Sequence, residues 1–483
     1  MPVLFALLAL TALRLVVAAL VPLSPDEAYY WMWSRHLAGG YFDHPPMVSV
    51  WIRAGTFLCG DTPLGVRLLA PLSTALGSVI LARAAARLTG DTARGVMAAV
   101  LFNATIAFGI GAVSMTPDTP LMFFWILGLA ALARLVGGGH GAWWLAFGAG
   151  AGLALASKFT AVFLGAGVAL WLVVTPTARA WLRGPWPYLS GLIALACFAP
   201  VLLWNAEHAW VGFSRQGGRL SGFRPDHAFY FLTEFIFGQV GMMSPLVFFL
   251  SCVGVVVAAR GATRTRDPAT WLLLILTLLP LPVFLQHTLA DRVQANWPAI
   301  VYPSAVILAT LAWPRLHRPA AALGLGLTLA IYVHAAWAIL PIPEKFDPSM
   351  KRLAGWAELA READAARRAA GLGYIAADNY SLAAILAWYL PVDVPVIGAQ
   401  ARFASFDLPR PDLTGQAGLL VRSGRLADNA DTRLWSTIER IGMRPRGRNG
   451  ISAEDFYLYR VLPVDGTDPR RVRLPSPGAQ TQP

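Results

Sequence analysis

The 483-residue sequence predicts an all-α polytopic membrane protein with a small C-terminal α/β domain outside the cytoplasm. Three observations carry this. Hydrophobic residues make up 56% of the chain and charged residues only 14%, against roughly 25% charged in soluble domains. Apolar stretches long enough to approach a bilayer crossing recur along the first two thirds. From about Pro341 the apolar runs shorten and charge rises.

Eleven apolar segments can be drawn, at 3–23, 64–82, 95–113, 119–136, 142–157, 159–175, 188–204, 240–259, 271–287, 297–313 and 320–340. They predict about eleven transmembrane helices, with further juxtamembrane helices in the outer loops. The first segment lacks a basic leader, and Ala18 and Ala19 lie before Pro22 rather than in a clear cleavage site, so it is expected to stay as an anchor. Alternate short loops carry Arg83, Arg87 and Arg94; Arg134; Arg179 and Arg183; Arg260, Arg264 and Arg266; and Arg315 and Arg318. Basic residues in short loops mark the cytoplasmic side. The opposite loops carry Asp26, Glu27, Asp43, Asp61, Asp118, Glu207, Asp226, Glu234 and Asp291, which makes that side the periplasm of a bacterium. An odd number of crossings then sends the C-terminal region outside too. The net charge of +12 is accounted for by this loop bias and by anionic lipid, not by nucleic acid.

The expected domains are a transmembrane domain at 1–341, a periplasmic α/β domain at 342–463 and a disordered, Pro- and Arg-rich tail at 464–483. Within the α/β domain, 351–370 reads as an amphipathic helix, 373–377 as a strand, 381–390 as a helix capped by Asn379 or Ser381, and 394–397 and 418–421 as further strands. Cys59, Cys197 and Cys252 lie far apart, with no metal-binding or disulfide spacing.

The chemistry is concentrated on the outer side. Directly after the first segment comes Ser24-Pro25-Asp26-Glu27-Ala28-Tyr29-Tyr30-Trp31-Met32-Trp33. Carboxylates beside hydrocarbon are costly and mark functional sites; aromatic side chains settle at that interface. Asp26 or Glu27 is thus a candidate general base, and the same run also reads as a helix start, with Pro at N1 and acids in the first turn. Tyr29 and Tyr30 are candidate substrate contacts. The stiff loop Tyr41-Phe42-Asp43-His44-Pro45-Pro46 sets an acid beside an imidazole that can donate to a phosphate. One Asp-His pair does not define a metal site, so a divalent metal is left open and no cofactor is assigned. Asp118, in Thr116-Pro117-Asp118-Thr119-Pro120, is a second candidate acid, or a turn residue. Lys158 has no acid near it in sequence; it is expected either to snorkel or to bind an anionic headgroup. Arg215 and Arg219, in a flexible outer loop, can match phosphate oxygens. The loop holding Arg292, Gln294 and Asn296 before Trp297 is dense in hydrogen-bonding groups that suit sugars and phosphates.

In combination these motifs resemble the GT-C superfamily of glycosyltransferases that use lipid-phosphate sugars. The nearest branches are the family-39 protein O-mannosyltransferases and the lipid A aminoarabinose and galacturonic acid transferases. The carriers are Asp26-Glu27-Ala28-Tyr29-Tyr30, the Tyr41–Pro46 loop, Thr116-Pro117-Asp118-Thr119-Pro120, Ser157-Lys158-Phe159-Thr160 and Gln294-Ala295-Asn296-Trp297-Pro298, over roughly residues 20–340. The resemblance implies a GT-C fold, an inverting transfer from a polyprenyl-phosphate donor, and a lipid or glycan acceptor at the periplasmic face of the inner membrane. It also implies that Asp26 is the base and that Asp118 is the second-loop acid. Aminoarabinose transferases often carry Glu-Lys before the prolines where this chain has Asp43-His44, which shifts the phosphate role toward Lys158 or an arginine. The rivals are an O-antigen ligase or a protein O-mannosyltransferase, and, from another class, a transporter. Transporters often show internal repeats and broken helices at the midplane, and neither is visible here.

Overall fold

The computed structural model describes residues 2–217, 225–343, 346–426, 429–448 and 450–478. The chain packs into two units, one of residues 1–15, 42–48 and 69–331, the other of residues 16–41, 49–68 and 332–483. The second unit thus gathers the outer elements following the first helix with the C-terminal region, a grouping the linear boundary at residue 341 does not anticipate.

Helix α1 (Pro2–Leu20) starts in the first unit and ends in the second. The first unit continues with α5 (Leu69–Thr89), α6 (Thr92–Asn103), α7 (Ile106–Gly111), α8 (Asp118–Val136), α9 (Trp143–Leu155), α10 (Val162–Val174) and α11 (Pro176–Arg179). It is completed by α12 (Trp186–Glu207), α13 (Val211–Gly217), α14 (Pro225–Met243), α15 (Pro245–Thr265), α16 (Pro268–Leu278), α17 (Leu281–His287), α18 (Tyr302–Ala309) and most of α19 (His317–Trp337). Its core buries Trp125, Trp144 and Trp171 almost completely. Small residues bring the helices close, as expected where lipid removes the hydrophobic drive between them. A Cβ on Gly148 of α9 would come within 2.3 Å of the Ser190 carbonyl oxygen of α12, and one on Gly152 within 2.6 Å of that of Ala194.

Among the described residues seven helices are long and apolar enough to cross a membrane, or eight if α10 and α11, bent by 100°, form one broken span. Helix length therefore does not confirm the eleven drawn from sequence. The stretch 95–113 breaks into α6 and α7 at Ala104-Thr105, 142–157 yields only the 13 residues of α9, and 297–313 opens with a 3-10 turn at Trp297–Val301 before α18. Pro298 and Pro303 lie in that last stretch, where a missing N–H breaks the α-helical ladder.

The second unit holds α2 (Pro25–Arg35), most of α3 (Met47–Cys59), α4 (Pro63–Arg67), α20 (Pro348–Leu353), α21 (Trp356–Ala369), α22 (Tyr380–Tyr389) and a six-stranded sheet. The strands are β1 (Ile375–Ala377), β2 (Val396–Ala399), β3 (Gly418–Ser423), β4 (Trp435–Arg448), β5 (Ile451–Pro463) and β6 (Arg471–Arg473), in the order β4-β5-β3-β1-β2-β6. β1 pairs in parallel with β2 and β3, while β5 and β6 add antiparallel strands on either side. Two expectations are corrected. The tail placed after Pro463 contains β6, which pairs with β2 and closes one edge of the sheet. The single helix expected at 351–370 is two helices, parted at Gly355, whose φ of +73° suits glycine. A Cβ there would also meet the Gly447 carbonyl oxygen at 2.5 Å.

Candidate active site

The acid-led helix α2 is built by its own first turn. Ser24 is the N-cap, Pro25 stands at N1, and Ser24 and Glu27 form a reciprocal capping box. The Ser24 backbone N–H and hydroxyl each donate to Glu27 Oε2 at 3.0 Å. The outer side of Glu27 is closed by Arg67, the last residue of α4. Arg67 Nε donates to Oε1 and Nη2 to Oε2, both at 2.6 Å. The rest of the guanidinium caps the end of α1: Nη1 donates to the carbonyls of Ala18 (3.1 Å) and Val21 (2.6 Å), and Nη2 to that of Pro22 (2.9 Å). All five Arg67 donors are therefore used, and both charged groups are 1% exposed. Glu27 was a candidate catalytic acid; its oxygens are engaged in holding α1, α2 and α4 together.

Its neighbour Asp26 is half-buried, and its Oδ1 accepts from the Tyr380 hydroxyl at 3.4 Å. Tyr380 is the first residue of α22, whose N-cap is Asn379, one of the two caps expected from sequence. Tyr29 is 1% exposed and packs edge-on against Tyr380, with ring centres 4.6 Å apart, and against Trp33 at 4.9 Å. It is thus a packing residue of the interface between α2 and α22, while Tyr30 is half-buried beside it. Further along α2, Trp31 donates to Asp61 at 2.8 Å and Arg35 pairs with the same carboxylate at 3.2 Å. Tyr41 stacks on Trp33 and donates to the Trp33 carbonyl at 3.0 Å, and burial pushes its phenol up to about 12.

A separate cluster lies in the first unit. Asp118 opens α8, and its two oxygens accept from Lys158 Nζ and Asn296 Nδ2, each at 2.7 Å. Lys158, 6% exposed, sits at the turn between α9 and α10, with its own N–H bonded to the Ala154 carbonyl. The lysine that has no acid nearby in sequence thus finds one 40 residues away. Asp118 and Asn296 line a cavity of about 60 Å³ together with Ser73, Thr74, Thr119 and Tyr302 and with apolar residues such as Phe102 and Met122.

The other basic candidates are dispersed. Asp43 offers its backbone carbonyl to Gln216 Nε2 at 2.9 Å, which ties the proline loop to α13, and His44 is half-buried in that loop. Arg215 is exposed on α13, Arg292 is exposed and paired with Glu234, and Arg219 lies outside the described residues. Among the described residues no group of three or more His, Cys, Asp or Glu side chains could hold a metal ion.

Sequence reasoning missed Arg67, Tyr380 and Arg402. Arg67 had a signal: it stands at the outer end of the second segment, where the positive-inside rule disfavours a cation. Tyr380 had none, because its partner Asp26 lies 354 residues away, and Arg402 had none, because it meets Asp26's surroundings through the rings of Tyr380 and Tyr29.

Residues 43–204 match the family described as dolichyl-phosphate-mannose-protein mannosyltransferase. The chain is 30% identical over 395 residues to the lipid A galacturonosyltransferase RgtD of Rhizobium johnstonii, covering 76% of this chain and 77% of that protein. The crystal structure of ArnT from Cupriavidus metallidurans in the apo state superposes with a TM-score of 0.60 at 17% identity, over 94% of this chain and 97% of ArnT. ArnT bound to undecaprenyl phosphate superposes with a TM-score of 0.59 at the same identity and coverage. The ArnT likeness establishes the fold, and the relation to RgtD establishes the kinship: the chain belongs to the GT-C superfamily of membrane glycosyltransferases, in the family that includes the Rhizobium lipid A galacturonosyltransferase.

Proposed function

We propose that this glycosyltransferase moves a uronic acid sugar from polyprenyl phosphate to lipid A, with inversion, at the periplasmic face of the bacterial inner membrane. The substrates follow from the RgtD relation and from the lipid phosphate bound by ArnT. The observation that supports the mechanism is the difference in setting between the adjacent acids. Glu27 is locked by Arg67 and the capping box, whereas Asp26 stands half-buried at the head of α2.

Asp26 takes the proton from the acceptor hydroxyl as its oxygen attacks the anomeric carbon. The bond from that carbon to the phosphate oxygen breaks on the opposite face, and the lipid phosphate leaves with the electron pair. Neutralising that leaving charge is a main electrostatic requirement; Lys158, buried in the first unit, is proposed for the donor phosphate on its chemistry alone. Asp118, with both oxygens occupied, positions Lys158 and Asn296 and is not assigned as base. His44, Arg215 and Arg292 are assigned supporting electrostatic roles only.

Mass spectrometry of envelope glycolipids tests the proposal. Cells with the protein should contain lipid A species heavier by one uronic acid, and cells without it should lack them. An unchanged lipid A profile would refute the acceptor assignment.

A further inference from the structure

We propose that the C-terminal α/β domain completes the catalytic acid, with Tyr380 and Arg402 acting as positioning residues for Asp26. This rests on the assignment of Asp26 as base. The Tyr380 hydroxyl lies 3.4 Å from Asp26 Oδ1, across 354 residues of sequence. That is long for a hydrogen bond, and such contacts at active sites often tighten once substrate is bound. The Tyr380 ring is held by two neighbours. Tyr29 packs edge-on against it at 4.6 Å, and the Arg402 guanidinium carbon lies 3.7 Å from its ring centre. Arg402 comes from the 3-10 turn Ala401–Ser405 that follows β2, and its guanidinium also lies 5.9 Å from the Tyr29 ring centre.

The chemistry of the trio is directional. A cation over the face of a phenol draws electron density from the ring and makes its hydroxyl a better donor. A donor aimed at a carboxylate holds it in one rotamer. The α/β domain thus supplies a clamp that keeps the base aimed. A purely architectural contact between α2 and α22 would need only the rings, as at Trp31 and Trp388, whose centres lie 5.0 Å apart.

The experiment uses the full-length protein in nanodiscs, with a synthetic polyprenyl-phosphate uronic acid and lipid A, and reads kcat, both KM values and thermal stability. Tyr380→Phe keeps the ring and removes only the hydroxyl. It should lower kcat about tenfold, the scale of one hydrogen bond to a charged group, with KM values and melting temperature unchanged. Arg402→Gln should lower kcat similarly, and Arg402→Lys should recover most of it. Wild-type kcat in folded Tyr380→Phe and Arg402→Gln proteins would overturn the inference, as would a loss explained wholly by a lower melting temperature. Wild-type protein and Asp26→Asn in the same assay separate the two levels. If Asp26→Asn is inactive while Tyr380→Phe is unaffected, the clamp alone fails; if Asp26→Asn is active, the base assignment fails and the clamp with it.

Discussion

Replacing Arg67 with methionine removes a guanidinium whose five donors all have partners, and strips four groups of their donor. The Glu27 carboxylate stays buried without its cation, and the carbonyls of Ala18, Val21 and Pro22 lose their donor. The Ala18 carbonyl lies in the last turn of α1 and those of Val21 and Pro22 just beyond it, where no helical N–H follows to satisfy them. Removing one partner of a buried ion pair costs about 3–5 kcal/mol. The Ser24 capping bonds to Glu27 remain, so the lower half of that range is expected for Arg67→Met. Arg67→Lys keeps the charge but has three donors and no fork, and should cost about 2 kcal/mol. The assay is unfolding in mixed micelles, run as a double-mutant cycle with Glu27→Gln. A coupling of about 2 kcal/mol is expected, near the upper part of the range for contacting residues. Additive single effects, or an Arg67→Met protein within about 0.5 kcal/mol of wild type, would refute the assignment of Glu27 to structure.

Lys158→Ala should raise the KM for the lipid-phosphate donor and cost about 1–3 kcal/mol, less than a fully buried pair because the Asp118 side chain is 24% exposed; unchanged donor kinetics would remove Lys158 from the phosphate site. Gly324→Val should destabilise the first unit by about 1–3 kcal/mol, since a Cβ there would lie 1.9 Å from the Ala104 carbonyl oxygen; a wild-type unfolding midpoint would contradict that close approach. In the α/β domain, the Arg470 guanidinium hydrogen-bonded to Asp468, and that of Arg433 to Asp431, hold both carboxyls below the ordinary range. Their folded values lie below their unfolded ones, so their stabilisation is complete above the unfolded value and is lost as pH falls through the folded one, that is, below about pH 4. Protection factors of the β6 amides should be flat from neutral pH down to about 5 and fall only below that threshold; a loss of protection near pH 6 would point to a different group.

Hydropathy and loop charge made the polytopic class legible, because a bilayer imposes its constraints locally along the chain. The start of α2 was legible for the same reason: Ser24, Pro25 and Glu27 build the capping box within four residues. Helix breaks were less legible. The split at Ala104-Thr105 lies inside an apolar run, where hydropathy has no contrast. The long hairpin of β4 and β5 escaped notice because β4 reads Glu439-Arg440-Ile441-Gly442-Met443-Arg444-Pro445-Arg446 and lies at the sheet edge, where neither face needs an apolar alternation and proline is tolerated. β6 was hidden because three residues flanked by Pro and Gly carry no strand signal until β2 pairs with them. At the site, the acids and Lys158 were visible as isolated ionisable groups. That Glu27 pairs with Arg67 and that Asp26 meets Tyr380 are facts of tertiary packing, which no local signal carries.

The central claim is that Asp26 is the proton acceptor in sugar transfer. The direct measurement is kcat/KM for Asp26→Asn in nanodiscs with the polyprenyl-phosphate sugar and lipid A, beside its unfolding midpoint. The account predicts an unchanged midpoint and a loss of about 10²–10⁴-fold, the usual contribution of a positioned general base. An Asp26→Asn protein that transfers sugar within about tenfold of wild type would contradict it.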